Sequence, residues 1–180
     1  MRYHLCTVVL IFINVIVFMA IRAGRLDPDD LGMSYHLVFN RKEYRRILTS
    51  AFTHVDPMHL LMNMVSLYNV GSFVESYFGR GRMLVIYFVS LILGKLLSMY
   101  IRHSNHDDYT VSIGASGAIS GLLGAYFLVI LHYYGFGGIS YLSRPLISLV
   151  MISIMPGVDG TSHFSCMAAG MAVTWLFFLF

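Results

Sequence analysis

Gly114-Ala115-Ser116-Gly117-Ala118-Ile119-Ser120-Gly121 opens a run that stays apolar as far as Tyr134, and its reading decides the rest of the chain. The run has about the 20 residues a helix needs to cross a bilayer. Gly117 and Gly121 stand in small-xxx-small spacing, with Ala125 extending the row; such rows let membrane helices approach closely. A serine among them is either part of a packing surface or a nucleophile at a helix mouth. Taken alone, packing is the commoner explanation. The nucleophile elbow of soluble hydrolases, Gly-x-Ser-x-Gly, is not met, because Ala118 occupies the last glycine's place.

The composition sets the medium. The 180 residues are 57% hydrophobic and 12% charged, with a mean hydropathy of +0.71, whereas soluble chains carry about 25% charged residues. This excludes an ordinary soluble domain and implies one all-α membrane domain over residues 1–180. The net charge of +3 is small and unclustered, which argues against nucleic acid as a partner. Cys6 and Cys166 both fall within apolar segments and do not make a disulfide framework.

Six spans are predicted, at about 5–21, 58–78, 83–101, 115–134, 141–155 and 161–180. Arg2 followed by the apolar run 5–20 invites comparison with a signal peptide, but no small-x-small cleavage site precedes Arg22, so the run reads as a retained first helix. Residues 22–57 form a long first loop. Within it, 35–52 is amphipathic and fits either an interfacial segment or a solvated surface loop. Pro57 suits the start of the second span. Lys95 interrupts the third, where snorkelling toward the nearer interface is the expected solution. Loop 102–110 holds His103, His106, Asp107 and Asp108 without a recognised metal-ligand spacing, so a solvated connector is expected, with no metal and no cofactor. Arg2, Arg80, Arg82 and Arg144 would share one side, but the first loop is also basic, so the charge rule alone leaves orientation open.

The chemistry comes from three spans. Ionisable side chains inside a membrane span mark a polar cavity or pathway. His163 lies early in the sixth span and Ser116 early in the fourth; spans of the same parity run in the same direction, so both enter from one face at similar depth. His59 and Asn63, spaced i, i+4, share a helical face at the start of the second span. Ser116 is the predicted nucleophile and His163 its general base. His59, Asn63 and the Ser116 backbone N–H are suited to hold an oxyanion. No carboxylate is obviously placed to orient His163, so a dyad is expected.

These motifs, in this order, resemble the rhomboid intramembrane serine proteases. The resemblance spans about 43–171 and rests on Arg46 ahead of the second span, His59-x-x-x-Asn63, Glu75-x-x-x-Gly79, Gly114-Ala115-Ser116-Gly117, and His163 with Gly170 seven residues on. It implies a six-transmembrane-helix rhomboid bundle whose first loop is partly membrane-embedded and whose Ser116–His163 dyad opens to a wet cavity on the non-cytoplasmic side. It also implies a gate formed by the fifth helix and its following loop, cytoplasmic termini, and an integral location in a membrane such as the bacterial inner membrane. Four positions depart from the family. Arg45 replaces the tryptophan of a Trp-Arg pair, Ser120 an aromatic that stacks on the catalytic histidine, Cys166 a glycine, and Lys95 a small residue. Ser120 and Cys166 are expected to loosen the dyad.

The expected substrates are transmembrane proteins whose helices are weakened near the outer interface, because a helix must unwind before its carbonyls can be attacked. Two rivals remain at this level. A silent relative would bind membrane clients without cutting them. A proton-relaying transporter would carry internal repeats, and none is apparent.

Overall fold

The computed structural model describes residues 4–143, 145, 147 and 159–179. Its long elements are α1 (Leu5–Arg22), α3 (Pro57–Ser104), α4 (Ser116–Tyr134) and α5 (Gly160–Leu179), with a single turn, α2 (Arg46–Thr49), in the first loop. Each long element is long and apolar enough to cross a bilayer. At 48 residues, α3 would reach ~72 Å if straight, more than twice the ~30 Å of hydrocarbon. It is instead bent at Gly79, whose φ of +80° and ψ of 170° are not helical. The predicted second and third spans are its two limbs, so five of the six expected crossings are accounted for. The sixth, the span predicted at 141–155 and expected to form the gate, lies mostly outside the described residues.

The core follows a helical stripe. Leu67, Val70 and Val74 on the first limb of α3, Ile86, Tyr87 and Leu91 on the second, and Ile119, Leu122 and Leu123 on α4 are all buried, while Phe12, Tyr68, Leu93 and Trp175 face outward. Close approach replaces bulk where helices cross. A side chain at Gly170 on α5 would run into the backbone of Gly121 on α4, and one at Gly94 on α3 would run into the backbone of Cys166. The thiol of Cys166 lies against Gly94 and Gly117, which leave room for it.

Glu75 ties the bundle's far end together. Its carboxylate accepts the N–H groups of Cys6 and Thr7 at 3.0 and 2.8 Å and the Thr7 hydroxyl at 2.8 Å. These donors belong to the first turn of α1, where N–H groups lack intrahelical partners.

The first loop packs onto the bundle through a few buried side chains. It is a series of short turns over a small core of Met33 and Val38 packed with Met99 of α3, pinned by a two-way backbone bridge between Met33 and Ser112. Arg46, 5% exposed, donates to the carbonyls of Asp29 and Gly32 at 2.7 and 2.8 Å and to Glu43 at 2.6 Å. This hydrogen bond holds the Glu43 carboxyl below the usual range. Arg46 is thus the loop's organising cation even though Arg45 stands where an aromatic was expected.

Candidate active site

Ser116 is the first residue of α4. The chain reaches it through Gly114, at φ +102°, a conformation that L side chains rarely adopt. A Cβ there would sit 2.8 Å from Cε1 and 2.9 Å from Nε2 of His59. Glycine is required twice over, by the backbone and by the ring of a second histidine against it.

His163 stands in the first turn of α5, and its Nε2 is 2.8 Å from Ser116 Oγ. With the ring proton on Nδ1, Nε2 accepts from the serine hydroxyl, as a general base must. Ser116 is 9% and His163 5% exposed, so the pair is screened from bulk solvent. Among the described residues the imidazole's hydrogen-bond partner is the serine. Asp159 caps α5: its carboxylate accepts the Ser162 N–H at 3.0 Å and pairs with Arg102 of α3 at 3.0 Å, fixing the helix turn that presents His163.

The His59 ring comes to the same place, against the Gly114 turn, and Asn63 follows it one turn along α3. The buried Asn63 carboxamide donates to the His59 carbonyl at 2.9 Å, and its Nδ2 keeps a second N–H. The N–H of Ser116 at the start of α4 has no earlier helical turn to donate to. By contrast, the two N–H groups ahead of it are committed. Gly114 donates to the Ser50 carbonyl at 2.8 Å and Ala115 to His54 Nε2 at 3.4 Å.

His54 was not singled out by sequence. It is fully buried and packs edge-on to His59 at 4.9 Å. Burial, followed by the neighbouring His59, pushes its imidazole down to about 3, so at neutral pH it keeps the lone pair that receives Ala115. Its recurrence five residues ahead of His59, at the end of the amphipathic loop, was the available signal.

One expectation changes. Lys95 does not snorkel to the interface: it is 1% exposed, and its ammonium donates to Ser50 Oγ at 2.9 Å. The reason is its place on the stripe of Leu91 and Met99, which faces inward. Ser120 is fully buried, and its hydroxyl lacks a partner among the described residues; no aromatic stacks on His163 from that position. In the 102–110 loop His103 pairs with Asp108 at 2.8 Å and stacks on Tyr35 at 4.0 Å, so those side chains tie the connector to the first loop.

Comparison with known proteins gives the context. The Rhomboid domain matches residues 41–180. RHOMBOID-like protein 4 of Arabidopsis thaliana is 32% identical over 146 residues, covering 77% of this chain and 35% of that protein. Rhomboid protease GluP of Bacillus subtilis (strain 168) is 33% identical over 130 residues, 69% of this chain and 24% of that one. Inactive RHOMBOID-like protein 8 of Arabidopsis thaliana is 38% identical over 95 residues, 52% of this chain and 25% of that one. The chain therefore spans about a third or less of the length of these relatives.

Proposed function

Since the chain belongs to the rhomboid family, whose domain covers residues 41–180, we propose that it is an intramembrane serine endopeptidase using a Ser116–His163 dyad. The family includes proteases and a member named inactive, and the chain is an integral, multi-pass membrane protein. The observation that carries the reading is the 2.8 Å separation of His163 Nε2 and Ser116 Oγ at the mouths of two different helices.

In the proposed reaction His163 takes the serine proton as Oγ bonds to the scissile carbonyl carbon. The oxyanion is received by the Ser116 N–H, Asn63 Nδ2 and His59. The imidazolium then protonates the leaving amine, and a water activated by the same ring releases the acyl group. Gly114 and Ala115 contribute no donors, because the first loop already holds theirs. The substrates are transmembrane proteins within the bilayer, cut where their helices are weak. The resemblance favours cytoplasmic termini and a bacterial inner membrane, with Arg46, Glu75, Gly79, Gly117 and Gly170 in supporting roles.

The test is reconstitution of the purified protein with a tagged single-span substrate. Cleavage by the wild type, none by Ser116→Ala, and a kcat loss of roughly 100- to 1,000-fold in Asn63→Ala are expected. A fluorophosphonate probe should label Ser116 and fail on Ser116→Ala. A wild type that neither cleaves nor labels, yet retains a membrane client, would favour the silent reading, to which the inactive relative lends support.

A further inference from the structure

A lysine ammonium inside a membrane protein is costly, and such groups are kept where they have work to perform. Lys95 sits within the second limb of α3 at 1% exposure. Its stem passes beneath the first turn of α4, since a Cβ at Gly117 would lie 3.6 Å from Lys95 Cε. A methyl at this position would lie in ordinary van der Waals contact with the stem and tighter against Cys166 Sγ, at 3.2 Å. The head then crosses to the first loop and donates to Ser50 Oγ at 2.9 Å.

Ser50 is fully buried and faces two ways. Its hydroxyl receives Lys95, and its carbonyl receives the Gly114 N–H at 2.8 Å. Gly114 is the residue at φ +102° that turns the chain into α4 against the His59 ring. A single buried serine therefore joins the intramembrane ammonium to the turn from which the nucleophile is presented. The acidic partner within electrostatic reach, Asp159, is already paired with Arg102, so Ser50 is where the ammonium is anchored.

We propose that Lys95 is a positioning residue of the Ser116–His163 dyad, acting through Ser50 to hold the Gly114 turn and with it the serine hydroxyl and the His59 ring. This rests on Ser116 being the nucleophile. Lys95 itself touches no reacting atom. A methionine in its place fills similar volume and removes a desolvated charge, and replacing buried ionic groups by apolar ones is frequently neutral or stabilising. Lys95 thus trades stability for placement, and its loss separates the two.

The experiment compares kcat, KM and thermal midpoint for wild type, Lys95→Met, Ser50→Ala and the double variant, with Ser116→Ala as the dead control. Lys95→Met should lower kcat about tenfold, since displacement of a reacting group by a fraction of an ångström has effects of this order. KM should stay within about twofold and the midpoint should be equal or higher, an outcome that a merely structural lysine would not give. Ser50→Ala, the milder change, should lower kcat similarly, and the double variant should be no slower than the slower single, because both cut one path. Unchanged kcat in Lys95→Met, or losses that multiply in the double variant, would overturn the assignment while leaving the protease reading intact. A wild type indistinguishable from Ser116→Ala would remove both.

Discussion

A proton on His54 would break the contact that its position exists to make. The folded imidazole is held down to about 3, first by burial and then by His59, whereas an exposed histidine in the unfolded chain titrates near about 6.5. Between these values the unfolded chain binds a proton that the folded one refuses, so stability falls as pH drops from about 6.5 toward 3. Above about 6.5 both states are neutral and the contribution vanishes. His54→Gln keeps an acceptor for the Ala115 N–H and removes the titration. Its thermal midpoint should therefore change less between about pH 7 and about pH 4.5 than that of the wild type; parallel curves would contradict this. The meeting of Ser116 and His163 was legible in the sequence because span parity placed them at one face and similar depth. His54 was not, since a histidine in an amphipathic loop looks the same whether it faces water or a backbone N–H 61 residues away.

Helix termini decide the site at the next scale up. Ser116 opens α4, His163 lies one turn into α5 and His59 one turn into α3, so three element starts meet and the connections leading into them set the geometry. The Gly114 turn is the tightest of these. Gly114→Ala would impose a left-handed conformation costing about 1–2 kcal/mol and put a methyl against His59. A kcat loss of about 100-fold or more is expected, with helix content by circular dichroism unchanged; near-normal hydrolysis would show that the His59 ring moves aside freely. The five spans that fall among the described residues were legible from apolar runs of membrane length, and the start of α3 from Pro57. The inward course of Lys95 was not, because its partner Ser50 is 45 residues distant along the chain and snorkelling is the usual answer for a lone cation. Nor was the fate of Cys166, which turned on Gly94 meeting it from another helix.

At the scale of the whole molecule, the end that holds the Ser116–His163 pair and the opposite end are held by different devices. At the first, Arg46 ties the first loop to itself, Lys95 ties that loop to the second limb of α3, and the Arg102–Asp159 pair joins the end of α3 to the start of α5, whereas Glu75 fastens α1 to the bundle from the far end of the first α3 limb. Glu75→Ala leaves two N–H groups and a hydroxyl of α1 without their acceptor. A destabilisation of about 2 kcal/mol is expected, charged acceptors being worth roughly this much. For a chain of this size that is a fall of ~5 °C in thermal midpoint. Phosphonate labelling of Ser116 per folded molecule should hardly change; a selective loss of labelling would move Glu75 into the catalytic apparatus.

The bend at Gly79 has open space where a side chain would be, and it divides the proposed machinery unequally. His59 and Asn63 lie upstream of it, and Ser116 and His163 downstream. A protein severed at this corner would yield one fragment with the oxyanion side chains and another with the intact dyad. Co-expressing the halves would therefore turn hydrolysis into a reporter of helix association in the bilayer.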